Sequence, residues 1–106
     1  MKKEIVYNKL VRDRIPEIIE KENKVHAIHT ATDEEYISQL YEKVIEELNE
    51  FKENPSEEEM ADILEVLAAI SSYFRLDEDT IQQVREKKNE KRGKFDKRII
   101  LEKVIE

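Results

Sequence analysis

Between Ile37 and Phe51, the residues Ile37, Leu40, Tyr41, Val44, Leu48 and Phe51 recur at helical spacing and draw one apolar stripe over four turns. Thr32 or Asp33 can cap the start, and Glu34 and Glu35 place acid in the first turn, where the helix dipole favours it. The run ENPSEEE, residues 53–59, then breaks the pattern. Asn54 suits a C-cap, Pro55 cannot continue a helix, and Ser56 can cap the next one with Glu59 at the capping-box position. That next helix, from Pro55 or Ser56 to about Phe74, is apolar over most of its circumference beyond Asp62, the pattern of a helix covered on several sides. So short a turn makes the two helices antiparallel neighbours. A helical hairpin follows, and it fixes the fold class.

The rest of the chain agrees. One glycine and two prolines in 106 residues leave little material for hairpin turns, and abundant Glu, Lys, Ile and Leu favour helix. Asp13 and Pro16 open a short helix to about Glu22, and a fourth, basic helix runs from about Asp79 to Lys91, ended by Gly93. Residues 25–30 alternate, and 97–102 hold the consecutive Ile99, Ile100 and Leu101, so both are candidates for short extended segments that pair. The expectation is a single, mainly all-α domain over 1–106, with the hairpin forming a four-helix bundle completed by oligomerisation. A dimer or tetramer is expected because the third helix carries more apolar surface than one hairpin can cover.

Charge narrows the function. The formal net charge is −7, yet residues 33–80 hold sixteen acids against three bases, whereas residues 85–103 hold nine bases and four acids. That sign and the lack of aromatic interleaving in the basic tail argue against a nucleic-acid polymer as partner. There is no cysteine for a disulfide or thiolate zinc site, no signal-like apolar region and no run of membrane-spanning length. A cytoplasmic protein without a membrane partner is expected.

Glu47 and Glu50 lie beside the stripe of the second helix, three residues apart, and Glu59 and Asp62 repeat that spacing in the third. Across a short turn the two pairs can face each other. Four converging carboxylates repel and raise one another's pKa unless protons or a divalent cation intervene. An all-oxygen ligand set suits Mg²⁺ or Mn²⁺ rather than zinc, and a magnesium site with a basic tail fits a polyphosphate.

These residues also carry a resemblance. EELNE followed by EMAD is similar to the EExxE…ExxD signature of the all-α nucleoside triphosphate pyrophosphohydrolases, which include MazG-like proteins, dimeric dUTPases and phosphoribosyl-ATP pyrophosphohydrolases. YNKLVRDRIPEII near the start and KRGKFDKRIILE near the end resemble a small phosphoribosyl-ATP pyrophosphohydrolase-like branch, so the likeness spans most of the chain. The interval between Glu50 and Glu59 is shorter than in much of that superfamily. The resemblance implies Glu47, Glu50, Glu59 and Asp62 as metal ligands, and Glu46 as the base or a group that orients water. It implies Lys88, Lys91 and Arg92 as phosphate contacts, and Lys9 and Arg12, with Arg14, as contacts to a nucleotide substrate. The implied reaction is Mg²⁺-dependent hydrolysis of a nucleoside triphosphate to monophosphate and pyrophosphate, of house-cleaning type.

Two alternatives stand beside it: a phosphoribosyl-ATP pyrophosphohydrolase, and a non-catalytic helical interaction protein of the same fold. His26 and His29 would point to opposite faces of an extended segment and are not expected to chelate together. Ser71 and Ser72 lack a neighbouring base pattern and read as packing residues. Glu65 suits either the metal or a salt bridge, and Tyr73 and Phe74 read as core or interface.

Overall fold

The computed structural model describes residues 3–106, which divide into two compact units, one within Met1–Phe74 and one within Arg75–Glu106. The first holds α1 (Ile15–Lys21), α2 (Asp33–Glu53) and α3 (Glu57–Tyr73), and the second holds α4 (Glu78–Arg92). The described residues contain no strand and no cis peptide bond.

Three of the four helices start on a side-chain cap, and α1 and α4 close on left-handed residues. Thr32 accepts the Glu35 N–H at 3.3 Å and Ser56 accepts the Glu59 N–H at 3.2 Å, so both hairpin helices start on a hydroxyl cap. Asp77 caps α4 by accepting from both the N–H and the hydroxyl of Thr80, and those two bonds hold its carboxyl below the ordinary aspartate range. Helix α1 ends on Asn23, which takes φ +58°; the Lys24 N–H returns to the Ile19 carbonyl and the Asn23 N–H to that of Glu20. That is a Schellman closure with asparagine in the position glycine usually fills. It stops α1 a residue short of the expected Glu22. Gly93, with φ +78° and ψ 178°, closes α4 in a region of backbone space that side chains disfavour.

Helices α2 and α3 pack against each other in antiparallel fashion, joined only by residues 54–56. At the far end of the hairpin the Tyr36 and Tyr73 rings lie 5.8 Å apart, and the Tyr73 hydroxyl approaches the Asp33 carbonyl at 3.5 Å. The inward seam of α2 is Ile37, Leu40, Val44, Glu47 and Phe51; that of α3 is Glu59, Ile63, Val66, Ile70 and Tyr73. Both follow the alternating three-and-four step of coiled-coil packing. Among the described residues Leu40, 2% exposed, and Glu47, 7% exposed, are the only buried ones.

The structure revises two expectations. Tyr41 and Leu48 leave the inward stripe: they are exposed, and with Ile45 they form a second apolar seam on α2. Met60, Leu64, Leu67 and Phe74 make the corresponding outward seam on α3. A helix turns 100° per residue, so a stripe that admits both Leu40 and Tyr41 is wider than one partner helix can cover. The expected extended segments form no strands. Residues 25–30 lie between helices with His26 tied to Glu20, and the 97–102 stretch is bent at Arg98 (φ +57°), whose N–H turns back to the Phe95 carbonyl. A left-handed residue at that point interrupts the pleat a ladder needs.

Candidate metal centre

The acidic cluster is built wholly within the first unit, near the turn of the hairpin. Glu47 and Glu59 occupy inward seam positions where an aliphatic residue would ordinarily sit. Carboxylate oxygens of Glu47, Glu50 and Glu59 lie within 4.8 Å of one another. One oxygen each of Glu47 and Glu59, Oε2 in both cases, is buried without a hydrogen-bond partner. Burial, followed by repulsion from Glu50, pushes the Glu47 carboxyl above the ordinary glutamate value, with Lys43 acting in the opposite sense. Partial desolvation raises Glu59 as well, followed by the charges of Glu50, Asp62 and Glu58. The Ser56 cap is one-sided: it takes the Glu59 N–H, while the Glu59 carboxylate turns to the cluster instead of closing a capping box.

An orphaned, buried carboxylate oxygen is costly unless a proton or a cation meets it. Three carboxylates at this spacing form an all-oxygen donor set, which suits a hard divalent ion. Glu47, Glu50 and Glu59 are therefore the residues that could hold Mg²⁺ or Mn²⁺.

The other expected site residues are distributed unevenly around this triad. Asp62 stands one turn beyond Glu59 on α3, and its Oδ1 accepts from Arg12 Nη2 at 2.8 Å. Glu46 accepts from Lys9 at 3.1 Å and has Lys43 at 3.7 Å. Lys43 also lies 3.7 Å from Glu47 Oε1. Sequence reasoning passed over Lys43, although its three- and four-residue steps to Glu46 and Glu47 are the spacing at which helical ion pairs form. Lys88, Lys91 and Arg92 belong to α4 of the second unit and are exposed there.

His29 contacts Glu35 at 3.0 Å, and neither histidine belongs to the triad. Glu65 is exposed on α3, Ser71 is half-buried, and Tyr73 packs within the hairpin while Phe74 is exposed. A cleft of about 480 Å³ opens beside the cluster, with Glu50, Glu46, Lys43, Lys9 and Asn8 among its lining residues. Glu50 thus belongs both to the triad and to the cleft wall. No helix among the described residues is long and apolar enough to cross a membrane.

The chain was compared with protein-family models, with curated proteins and with solved structures, and it matches none of them.

Proposed function

We propose that the chain is a divalent-cation-dependent nucleotide pyrophosphohydrolase, cleaving a nucleoside triphosphate to monophosphate and pyrophosphate. The observation that carries this reading is the Glu47 carboxylate, 7% exposed, at a core position of the hairpin with one oxygen unpartnered and two further carboxylates beside it. Sequences break the rule of an apolar core chiefly at functional sites, which is why this carboxylate supports the reading.

Glu47, Glu50 and Glu59 hold the cation. When bound, Mg²⁺ or Mn²⁺ supplies positive charge against the phosphate oxygens and against the charge that develops on the leaving pyrophosphate. The chain's own groups do the rest. Glu46, on the cleft wall between Lys9 and Lys43, takes the proton of the attacking water. The water oxygen bonds to the α-phosphorus as the bond to the β-phosphate breaks. Lys9 and Arg12, on the N-terminal segment, provide cationic contacts for phosphate. Lys88, Lys91 and Arg92 of α4 are offered for the same role on the resemblance alone, and the reading of the triad does not depend on them. The test is a panel of nucleoside triphosphates and phosphoribosyl-ATP with Mg²⁺, read for pyrophosphate. Release that Glu50→Gln abolishes supports the reading; a wild-type chain inert to the whole panel defeats it.

The outward seams favour self-association. Tyr41, Ile45 and Leu48 on α2 and Met60, Leu64 and Leu67 on α3 keep the coiled-coil step, and Ile45 and Leu64 remain 62% and 58% exposed. A second hairpin laid on this face would complete a four-helix bundle, as a dimer or tetramer. The same seams support the competing reading of a non-catalytic interaction protein. Sedimentation reports the association, and the nucleotide panel separates the two readings.

A further inference from the structure

The N-terminal segment reaches the cluster through two cations. Residues 3–12 form neither helix nor strand; Ile5, Val6, Tyr7 and Val11 are exposed and only Leu10 is half-buried, so little apolar contact fastens them. Their side-chain bonds to the hairpin are Lys9 to Glu46 on α2 and Arg12 to Asp62 on α3. Asn8, with φ +46°, bends the chain just before Lys9. Asp62 meanwhile lies outside the triad of Glu47, Glu50 and Glu59, although it shares the face of Glu59 one turn on.

We propose that the segment is a strap held by the metal-free cluster, in which Arg12 keeps Asp62 out of the triad and a divalent cation displaces it. This rests on the reading of the triad as a cation site. The physical case is competition for one carboxylate. Arg12 and Asp62 are 60% and 35% exposed at their side chains, so their pair is solvent-screened and easily exchanged. Mg²⁺ and Mn²⁺ favour six-coordinate oxygen sites, so three carboxylates would leave positions open, and a carboxylate one turn from Glu59 would fill one at the expense of its screened pair with Arg12. Recruiting Asp62 removes the strap's tie to α3. Arg12, two residues beyond the cleft-lining Leu10, is then free to meet a polyanionic ligand.

The experiment titrates Mn²⁺ alone, without nucleotide, into the full chain and follows both binding and the rate of tryptic cleavage after Arg12, whose side chain is the tie. Arg12→Gln removes the competitor and should tighten Mn²⁺ binding about two- to fivefold, the range an exposed ion pair supports. Arg14→Gln loses the same charge two residues away, on a side chain that lies 4.0 Å from Glu17 rather than on Asp62, and should change the affinity far less. In an Asp62→Asn background the gain from Arg12→Gln should vanish, since the two effects act through one contact. Mn²⁺ should also speed wild-type cleavage after Arg12, since the guanidinium leaves Asp62. Unchanged or weaker binding by Arg12→Gln, an equal effect of Arg14→Gln, a gain that survives Asp62→Asn, or cleavage after Arg12 that slows or stays constant with metal each overturns the strap while leaving the cation site standing. A wild-type chain that binds neither Mn²⁺ nor Mg²⁺ overturns both.

Discussion

The two ends of the α2–α3 hairpin use the same seam geometry for opposite purposes. At the open end Ile37, Leu40, Ile70 and Tyr73 fill the inward positions, and Tyr36 stacks at a tilt against Tyr73. At the turn end the equivalent positions carry Glu47 and Glu59, each with one buried oxygen that lacks a partner. One end gains from burial, and the other loses by it until a proton or cation arrives. The hairpin is thus held together from the aromatic end and left responsive at the acidic end. Substitutions at the two ends should therefore move stability in opposite directions.

The largest effect should come from the apolar end. Leu40 is the one buried aliphatic side chain among the described residues, so Leu40→Ala removes the best-packed contact of the seam. A loss of about 2–4 kcal/mol is expected for such a truncation, partly reduced where neighbours relax into the space. Urea unfolding at fixed chain concentration measures it. A loss below about 1 kcal/mol would mean that the seam is not where the fold is held.

Glu47→Leu reverses the sign. It puts an aliphatic side chain into a seam position and removes an unsatisfied carboxylate, so the metal-free chain should gain about 1–3 kcal/mol, the usual penalty of an unpartnered buried polar group. Mg²⁺ or Mn²⁺ at millimolar concentration should raise the melting temperature of the wild type by linkage and leave that of Glu47→Leu unmoved. A variant that is less stable than wild type without metal would make Glu47 a structural group.

The pH dependence sharpens the same contrast. Glu47 and Glu59 bind protons more tightly in the folded chain than at the ordinary glutamate value of 4.5, because burial and neighbouring acids disfavour their charged forms. A raised carboxyl pKa contributes stability that is full below the unfolded value and is lost as pH rises through the folded one. Between pH 4.5 and the raised values, these two groups therefore make the metal-free fold weaker as pH increases. Thermal melts of wild type minus Glu47→Leu across that window should show the difference widening toward neutrality. Saturating metal should flatten it. A difference that narrows as pH rises contradicts the assignment.

Much of this was legible in the sequence, and the reasons are local. Thr32, Ser56, Pro55 and Gly93 fix helix ends through capping and backbone chemistry that depend on a few adjacent residues. The acidic pairs were visible because three-residue spacing survives on any helix. The exact seam was less legible, since Leu48 is more apolar than Glu47 and composition pulls the stripe toward it; only the strict alternation 37, 40, 44, 47, 51 selects the glutamate. Asn23 closes α1 through a left-handed turn that glycine would have announced more plainly. The Arg12–Asp62 and Lys9–Glu46 contacts span 50 and 37 residues, and no local spacing encodes them.

The smallest effect should come from the polar fringe of the aromatic end. The Tyr73 hydroxyl lies 3.5 Å from the Asp33 carbonyl oxygen, longer than an ordinary O–H···O bond, and the contact is exposed. The ring itself contributes through Tyr36 at 5.8 Å and through Phe74 at 5.0 Å in an edge-on arrangement. Tyr73→Phe keeps both ring contacts and removes only the long hydroxyl bond, so it should cost less than about 0.5 kcal/mol. Tyr73→Ala removes the rings' partner and its packed face, and should cost about 2 kcal/mol or more. The pair of substitutions separates packing from hydrogen bonding at one residue. If Tyr73→Phe proves as damaging as Tyr73→Ala, the open end is held by its hydroxyl, and the division between an apolar end that stabilises and a polar end that responds no longer describes the hairpin.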